Sequence, residues 1–213
     1  MPDLCPLCQE PTAAAFAEVD GRHYHRCRNC DLTFLDPSQR PSAAAERAEY
    51  DLHQNEPHDP RYRRHLAKLT EPLLRGVPTG AEGLDFGSGP GPTIAVMLGE
   101  QGFRVRNYDP FFAPDRAVLE RRYDFITCTE TAEHFHEPAR EFALFQRLLR
   151  PGGPLGIMTV MLTDGIDFQK WWYRGEISHV SFYSPKTFDW LGRHHGWSTT
   201  ILLPSVVILR SKG

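Results

Sequence analysis

The 213-residue sequence has little that would mark a membrane, secreted or nucleic-acid-binding protein. It contains no run of eighteen apolar residues, and the stretch from Met1 to Cys5 shows no basic segment followed by an apolar one. The formal net charge is -3, so RNA binding would need a local basic patch rather than an overall positive field. We therefore expect a cytoplasmic protein that does not enter the membrane.

Two nucleotide-binding patterns are also missing. The glycine-rich stretch has neither the Gly-x-Gly-x-x-Gly spacing of pyrophosphate-binding folds nor a following Gly-Lys-Ser/Thr. It reads Leu84-Asp-Phe-Gly-Ser-Gly-Pro-Gly-Pro92, an apolar run that ends in an acid and continues with glycines at alternate positions. This predicts a strand, a tight turn and a helix start, with the turn either cradling a ligand or serving only as a tight connection.

A second predicted strand covers residues 103–108 and ends at Asp109. This acid lies about twenty residues beyond the glycines, where open α/β sheets place a carboxylate against ribose hydroxyls. NAD and S-adenosylmethionine both carry such a ribose.

The glycine-rich stretch resembles the first motif of class I S-adenosylmethionine-dependent methyltransferases of the type 23-like group. Matching pieces follow in order at residues 123–128, Glu133-His134, 148–153 and 179–185, and the resemblance covers residues 82 to about 210. It implies an α/β fold, with a Rossmann-like sheet that ends in an antiparallel strand pair. The residues that it implies for S-adenosylmethionine are Asp85, Gly87, Ser88, Gly89, Gly91, Asp109 and Thr129.

The segment after Asp109 departs from the family pattern. Only fourteen residues separate Asp109 from Asp124, and two of them are prolines. The usual helix and third strand must therefore be shortened or replaced by a loop, with a strand at 117–120 as one option. The usual adenine-binding acid has no counterpart here, which leaves Phe111 and Phe112 as candidates for an apolar face against the ring.

Four of the five cysteines form two Cys-x-x-Cys pairs within the first thirty residues. Two such pairs around a hairpin that turns at Asp20-Gly21 predict a zinc ribbon, whereas unligated thiols are the alternative. Four sulfurs complete a tetrahedral shell, so the zinc is expected to be structural and His23 and His25 to be exposed. The predicted zinc ligands are Cys5, Cys8, Cys27 and Cys30.

We divide the chain into a zinc ribbon (1–36), a linker with N-terminal helices (37–80) and the methyltransferase domain (81–213). Helices are predicted at 42–50 and 61–75, the second with several basic residues. In methyltransferases of this type such helices close over the cofactor. That makes Tyr50, His53 and Arg64 candidates for the site, although a solvated basic face explains the basic residues equally simply.

Residues 163–184 are rich in aromatic side chains and occupy the position of a substrate cap. Trp171, Trp172, Tyr173, Phe182 and Tyr183 either stack on a planar substrate or form the core of the cap. Both alternatives stay open at the level of the sequence.

The candidate catalytic residues are Glu130, Glu133 and His134, which one helical turn would bring together. Their pattern resembles the metal site of plant small-RNA 2′-O-methyltransferases and of ubiquinone-pathway O-methyltransferases, with His179 implied as a fourth ligand. Such a cation would activate a hydroxyl for O-methylation. The alternative is a Glu-His pair that binds no metal, with His134 or His136 as a general base or the pair as a helix cap.

A ribbon joined to this domain resembles both sugar C-methyltransferases and some RNA methyltransferases. The additional C-terminal domain of the former and the positive charge of the latter are missing from this sequence. We therefore expect a small or carrier-linked metabolite as substrate. RNA methylation and a non-catalytic adaptor with a decayed methyltransferase fold are the alternatives, and the sequence leaves the oligomeric state open.

Overall fold

The structure is a computed structural model that describes residues 4–52 and 56–211. It begins with three short strands, β1 (Ala13–Val19), β2 (Arg22–Cys27) and β3 (Thr33–Leu35). The β1–β2 hairpin turns at Asp20 and Gly21, whose φ angles are 55° and 74°. Two consecutive positive φ angles give the turn a twist that matches the flanking strands, so the hairpin forms where the sequence predicts it.

Two helices follow, α1 (Ala43–Tyr50) and α2 (Pro60–Leu73). The hydroxyl of Ser42 caps α1 by accepting from Ala45 N, and a carboxylate oxygen of Asp59 accepts from Arg61 N at the start of α2. Helix α2 buries its leucine stripe, as the spacing predicts. Within the described part of the chain, no helix has the length and apolar character needed to cross a membrane.

The central sheet has the strand order β5-β4-β6-β7-β10-β9. Strands β5, β4, β6 and β7 run parallel, and β10 pairs antiparallel with both β7 and β9. This confirms the predicted Rossmann-like sheet with its antiparallel end. Its elements and those beside it are β4 (Glu82–Phe86), α3 (Thr93–Gly99), β5 (Arg104–Tyr108), β6 (Phe125–Thr129), α4 (Pro138–Leu148), β7 (Pro154–Met158), β8 (Ser181–Phe182), α5 (Pro185–His195), β9 (Trp197–Leu202) and β10 (Val206–Ser211).

Helices cover both faces of this sheet. Leu66 and Leu98 of α2 and α3 belong to one apolar cluster, and Phe142 and Leu191 of α4 and α5 belong to another. Because both faces are covered, the inner parallel strands β4, β6 and β7 are buried along most of their length, whereas the edge strand β5 exposes Arg104 and Arg106.

The strand considered at 117–120 is wrong. Residues 116–120 form a 3-10 helix, which Asp115 begins by accepting from Ala117 N at 3.0 Å. A bridge between Asp109 and Ala113 uses much of the short connection, so too few residues remain for a crossover helix and another strand.

The N-terminal strands continue into the cap. Strand β3 pairs with β8, which gives a second sheet of order β1-β2-β3-β8. Both cysteine turns also touch the helices: Pro6 O accepts from Ala139 N at 3.2 Å, and the Ser184 hydroxyl donates to Asp31 Oδ2 at 2.6 Å. The boundary at residue 36 stays a prediction from sequence, and the sheet runs across it.

Four of the five cap aromatics are buried and one is exposed. Trp171, Tyr173 and Phe182 are buried in one cluster with Tyr24 of β2, and Tyr183 is buried in the main core. Trp172 is 74% exposed. The cap core therefore takes four of these aromatic side chains, and one remains accessible to a substrate.

Candidate functional site

A cavity of about 1050 Å³ lies beyond the carboxyl ends of β4, β5 and β6. Open α/β sheets bind their ligands at this edge. The cavity brings together all eleven residues proposed from sequence for cofactor binding and catalysis. They are Asp85, Gly87, Ser88, Gly89, Gly91, Asp109, Thr129, Glu130, Glu133, His134 and His179.

The glycine turn has no room for a side chain at its first position. Gly87 has a φ of 77°, and a Cβ atom there would lie 2.2 Å from the Thr131 side chain. Gly89 N donates to Asp109 Oδ2 at 3.0 Å, while Oδ1 of the same carboxylate accepts from Phe111 N and Phe112 N. Asp109 thus ties the turn to the loop after β5 and lines the cavity at the same time.

Asp85 is buried at the end of β4, where it accepts from Thr127 Oγ1 at 2.7 Å. Burial raises the pKa of this carboxyl to about 7, and the nearby Asp109 adds to the rise, although the bond from Thr127 opposes it. A cationic or hydrogen-bond-donating ligand group would favour its charged form.

Two hydroxyl oxygens of the cavity wall fit a bound cofactor. Ser88 Oγ and Thr129 Oγ1 are buried and have no hydrogen-bond partner among the described residues. Buried polar atoms are nearly always satisfied, so a ligand with polar groups is the expected partner. Phe111 and Phe112 also line the cavity, as the sequence suggests for the adenine side.

The far side of the cavity holds a buried cluster of Glu133, His134 and His179. One ligand atom from each lies within 4.8 Å of the others. Each imidazole has its Nδ1 against a backbone carbonyl, His134 at 3.1 Å from Ser178 O and His179 at 2.6 Å from Tyr173 O. A carbonyl only accepts, so Nδ1 donates and the lone pair of each neutral ring is on Nε2.

Glu176 joins this cluster, and the sequence analysis missed it. Its Oε2 lies 3.2 Å from His179 Nε2, and Glu133 Oε1 lies 4.0 Å from the same nitrogen. The signal was present in the spacing Glu176-x-x-His179. Burial lowers the pKa of His179, whereas the charge of Glu176 opposes this shift, and at 3.2 Å the two groups can share a proton or a cation.

Glu133 is fully buried, and neither of its carboxylate oxygens has a hydrogen-bond partner among the described residues. Burial raises its pKa to about 8, with the charge of Glu130 as the next cause. Such a carboxyl suits a bound cation or the role of a proton carrier near neutral pH.

Glu130 does not join the cluster, so the expected convergence in one helical turn is wrong for this residue. The 3-10 turn covers only Ala132–His134, and Glu130 itself has a φ of 47°. Its carboxylate instead lies 3.1 Å from His65 Nε2 on α2 and accepts from the Tyr173 hydroxyl at 3.5 Å. No local feature of the sequence indicates the pairing with His65.

Helix α1 closes one side of the cavity. The ring of Tyr50 lies 5.2 Å from that of His134, in accord with its predicted place. Glu46 Oε1 of this helix lies 2.7 Å from His136 Nε2. His136 therefore binds α1 from outside the cavity and is not positioned to act as a general base there. Arg64 is exposed and is not part of the cavity wall, and His53 lies outside the described residues.

The family described as "Methyltransferase domain" matches residues 58–200. This chain belongs to that methyltransferase family. The match covers more than half of the chain and includes the glycine turn, β6 and the cap.

Known relatives of this methyltransferase are distant. A ubiquinone biosynthesis O-methyltransferase from Aeromonas salmonicida is 28% identical over 124 residues, which are 54% of this chain and 52% of the relative. The chain thus spans about half the length of that relative. A solved structure of Burkholderia thailandensis 1,6-didemethyltoxoflavin-N1-methyltransferase holds bound 1,6-didemethyltoxoflavin and S-adenosylhomocysteine. It is 20% identical to this chain with a TM-score of 0.55, and the match covers 92% of this chain and 100% of that one. An O-methyltransferase family protein from the same organism is 15% identical with a TM-score of 0.50, over 79% and 63%.

The four N-terminal cysteines of the methyltransferase also meet at one point. Their sulfur atoms lie within 4.8 Å of one another, with Cys5 Sγ 3.6 Å from Cys30 Sγ and Cys8 Sγ 3.4 Å from Cys27 Sγ. Tetrahedral zinc with bonds of ~2.3 Å needs sulfurs ~3.8 Å apart, so the residues present fit the ion.

The two cysteine turns share one backbone shape, since Gln9 and Asp31, each directly after a second cysteine, both have a φ of 60°. His25 is buried, and its Nε2 lies 2.9 Å from Asp36 Oδ2, so the expectation that this residue is exposed is wrong. His23 is exposed as predicted. The strand β2 turns the His25 ring inward beside Phe34.

Proposed function

We propose that this methyltransferase binds S-adenosylmethionine along the glycine turn and transfers its methyl group to a hydroxyl of a small or carrier-linked metabolite. One observation carries the proposal. A single cavity has the glycine turn on one side and the buried cluster of Glu133, His134, His179 and Glu176 on the other. The S-adenosylhomocysteine held by the Burkholderia N1-methyltransferase supports the choice of cofactor.

The cofactor residues are those that the sequence singles out: Asp85, Gly87, Ser88, Gly89, Gly91, Asp109 and Thr129. When bound, S-adenosylmethionine supplies an electrophilic methyl group on a sulfonium centre. The chain contributes placement, because the turn admits a ligand against its backbone and the unpartnered hydroxyls of Ser88 and Thr129 offer it hydrogen bonds. Alignment of donor and acceptor with exclusion of water then supplies most of the rate enhancement.

The acceptor side fits a divalent cation, with Glu133, His134 and His179 as ligands and Glu176 in place of the expected Glu130. Carboxylate and Nε2 donors suit Mn²⁺, Fe²⁺ or Zn²⁺, and the carbonyls on the two Nδ1 atoms orient the rings as outer partners of metal ligands do. When bound, the cation lowers the pKa of a hydroxyl that ligates it. Without a cation, His134 and His179 are the candidate bases.

The charges around the cavity favour an uncharged or planar acceptor over RNA. The β6 loop and the cap place three carboxylates on the wall, whereas the lining arginines come from the segment after β5 and from α4. Tyr50, Trp172 and Tyr173 add aromatic surface at the acceptor side. The Aeromonas relative, named as a ubiquinone biosynthesis O-methyltransferase, supports oxygen as the methylated atom.

A structural zinc ion at the four cysteines completes the proposal. No disulfide joins these cysteines, as a reducing cytoplasm would require. Metal analysis of protein purified without chelator tests it. One zinc per chain is the expected result, and a zinc-free protein with an unchanged melting temperature would contradict it.

Isothermal titration of the zinc-loaded protein with S-adenosylmethionine tests the central step. We expect saturable binding at one site, and no binding to folded protein would overturn the proposal. Transfer of a radiolabelled methyl group to a panel of hydroxylated aromatic acceptors, with tRNA as the competing acceptor, then tests the substrate class. RNA affinity that falls steeply with salt, or methylated tRNA, would overturn the preference for a small molecule. Cofactor binding without turnover across the panel would favour the adaptor.

The cation is tested separately, by assays in EDTA with zinc retention verified. Loss of activity that Mn²⁺ restores is the expected result. Full activity in EDTA would exclude a catalytic cation and leave His134 or His179 as the candidate general base.

A further inference from the structure

Two residues of the acceptor side lie on a segment with little regular structure. Residues 176–180 form a bend, a turn and a short extended stretch, and they carry Glu176 and His179. His179 is nevertheless 3% exposed. A chain of this kind has no helix or sheet ladder of its own, so contacts from elsewhere must fix its course.

Arg22 supplies those contacts from the first residue of β2. Its Nη1 donates to Arg174 O at 3.2 Å and to Glu176 O at 3.4 Å. Its Nη2 donates to Ile177 O at 3.2 Å and to His179 O at 3.3 Å. One guanidinium thus donates to three carbonyl groups of the segment and to that of Arg174 just before it, and the planar fork fixes their relative positions.

Three further hydrogen bonds extend this connection from the hairpin and β3 to the segment and on to the loop of Glu133. Arg174 Nη1 donates to Asp20 Oδ2 at 3.0 Å, so a second arginine crosses in the opposite direction. Leu35 N donates to Val180 O, and Val180 N donates to Glu133 O, both at 2.9 Å. The hairpin, the segment and the Glu133 loop are therefore linked in series.

We propose that Arg22 is a positioning residue of the acceptor site, and that through it the N-terminal hairpin holds His179 and Glu176 against Glu133. The hairpin then supports the acceptor wall from behind, without lining the cavity itself. The kinetic consequence rests on the proposed methyl transfer, whereas the structural consequence does not.

The test compares Arg22→Met with Arg26→Met in the full-length, zinc-loaded protein. Arg26 lies on the same strand but contacts Phe16 and Thr33 of the hairpin rather than the segment. Diethyl pyrocarbonate modification of each histidine, followed by peptide mass mapping, reports which imidazoles have become accessible. We expect His179 to react at least about tenfold faster in Arg22→Met, while His25, the buried histidine of the hairpin, stays protected.

Equal exposure of His25 and His179 would show that the substitution only loosens the hairpin, and unchanged protection of His179 would show that Arg22 does not hold it. Either result overturns the inference, as does the same gain in Arg26→Met. Arg22→Lys should restore part of the protection, since it keeps one cationic donor. These readouts need no turnover, so they remain decisive if S-adenosylmethionine fails to bind.

Kinetics provide the second readout, with whichever acceptor of the aromatic panel is methylated. A displacement of about 1 Å in a reacting group costs up to about 100-fold in rate, so kcat should fall by about 10- to 100-fold in Arg22→Met. The KM for S-adenosylmethionine should stay within about twofold because the glycine turn does not contact the segment. Wild-type kcat in Arg22→Met would contradict the positioning role.

Discussion

The two sides of the cavity are built in different ways. The cofactor side comes from two nearby stretches, the glycine turn and the loop after β5, which Asp109 fastens to each other through backbone amides. The acceptor side combines the β6 loop, the cap segment, α1 and α2, which are far apart in the sequence. Its fixation also depends on Arg22, outside the region that the family match covers.

The two sides of the cavity therefore need different parts of the chain in order to form. The cofactor side needs the adjacent ends of the parallel strands and the glycine turn, which hydrogen bonds to the Asp109 carboxylate hold in place. The acceptor side needs the whole fold, including the N-terminal hairpin, because its charged groups are buried and only tertiary contacts place them. Changes in the cap should therefore alter the acceptor without altering cofactor binding.

Removal of the ribbon zinc should have the largest effect and should strike the acceptor side first. The ribbon shares its core with α4 and the cap, and binding energy at a structural zinc site is folding energy. We expect a fall of more than about 10 °C in melting temperature after strong chelation, restored by zinc. Differential scanning calorimetry measures it, and an unchanged transition in demonstrably zinc-free protein would contradict it.

Gly87→Ala should disable the cofactor side alone. The new methyl group would collide with Thr131 and would also occupy a residue at positive φ, so the turn must move. We expect at least about 100-fold weaker S-adenosylmethionine binding by titration calorimetry, an energy of about 3 kcal/mol. Gly99→Ala is the matched control, since no atom lies within 4 Å of its added methyl group. Wild-type affinity in Gly87→Ala would show that the turn does not cradle the ligand.

Glu133→Gln should disable the acceptor side while leaving the cofactor side intact. It keeps the shape of a fully buried side chain but removes a cation ligand and a proton carrier. We expect kcat to fall by about 100-fold or more, with S-adenosylmethionine affinity within about twofold. Glu137→Gln serves as the control because that carboxylate lies outside the cavity wall and its ion pair with Arg140 is solvent-exposed. Equal activity of Glu133→Gln and Glu137→Gln would show that Glu133 has no role in catalysis.

The pH dependence of stability tests the protonation state of Glu133 without an activity assay. Burial raises the pKa of Glu133 from 4.5 to about 8, so the folded state holds a proton that the unfolded state has lost between these values. Stability of the cation-free protein therefore decreases as pH rises from about 5 to 8. Glu133→Gln should reduce this decrease by about 10 °C in melting temperature, measured by differential scanning calorimetry at each pH. Parallel pH curves for variant and wild type would show that the carboxyl is not held protonated.

The smallest effect is expected from the accessible cap aromatic. Trp172→Ala should raise the KM for the acceptor by about three- to tenfold and leave the melting temperature nearly unchanged, since the side chain is 74% exposed. Its neighbour Trp171 is buried, so Trp171→Ala should lower the melting temperature by several degrees instead. A raised KM in Trp171→Ala together with a lowered melting temperature in Trp172→Ala would show that Trp172 is not the residue that contacts the substrate.

Prediction from the sequence succeeded where the signal was local. The glycine turn, the hairpin at Asp20-Gly21 and the helices α1 and α2 all lie where turn residues and periodicity place them. It failed where long-range contacts compete with local geometry. His25 is buried because β3, which pairs with β2, brings Phe34 and Asp36 beside its ring. Glu130 turns to His65, which lies on α2 and is 65 residues away in the sequence.

By itself, the sequence determined the fold class, the cofactor side and the two pairs of cysteines, since glycines with positive φ, strand periodicity and paired thiols act through neighbouring residues. Only the tertiary structure decided which acids face His179 and what holds the cap segment in place. Buried charges and unpaired carbonyls must find partners wherever the fold brings them, and sequence distance does not limit that choice. The role of Arg22 therefore became visible only in three dimensions, and the structure was needed to show that Glu176 faces His179.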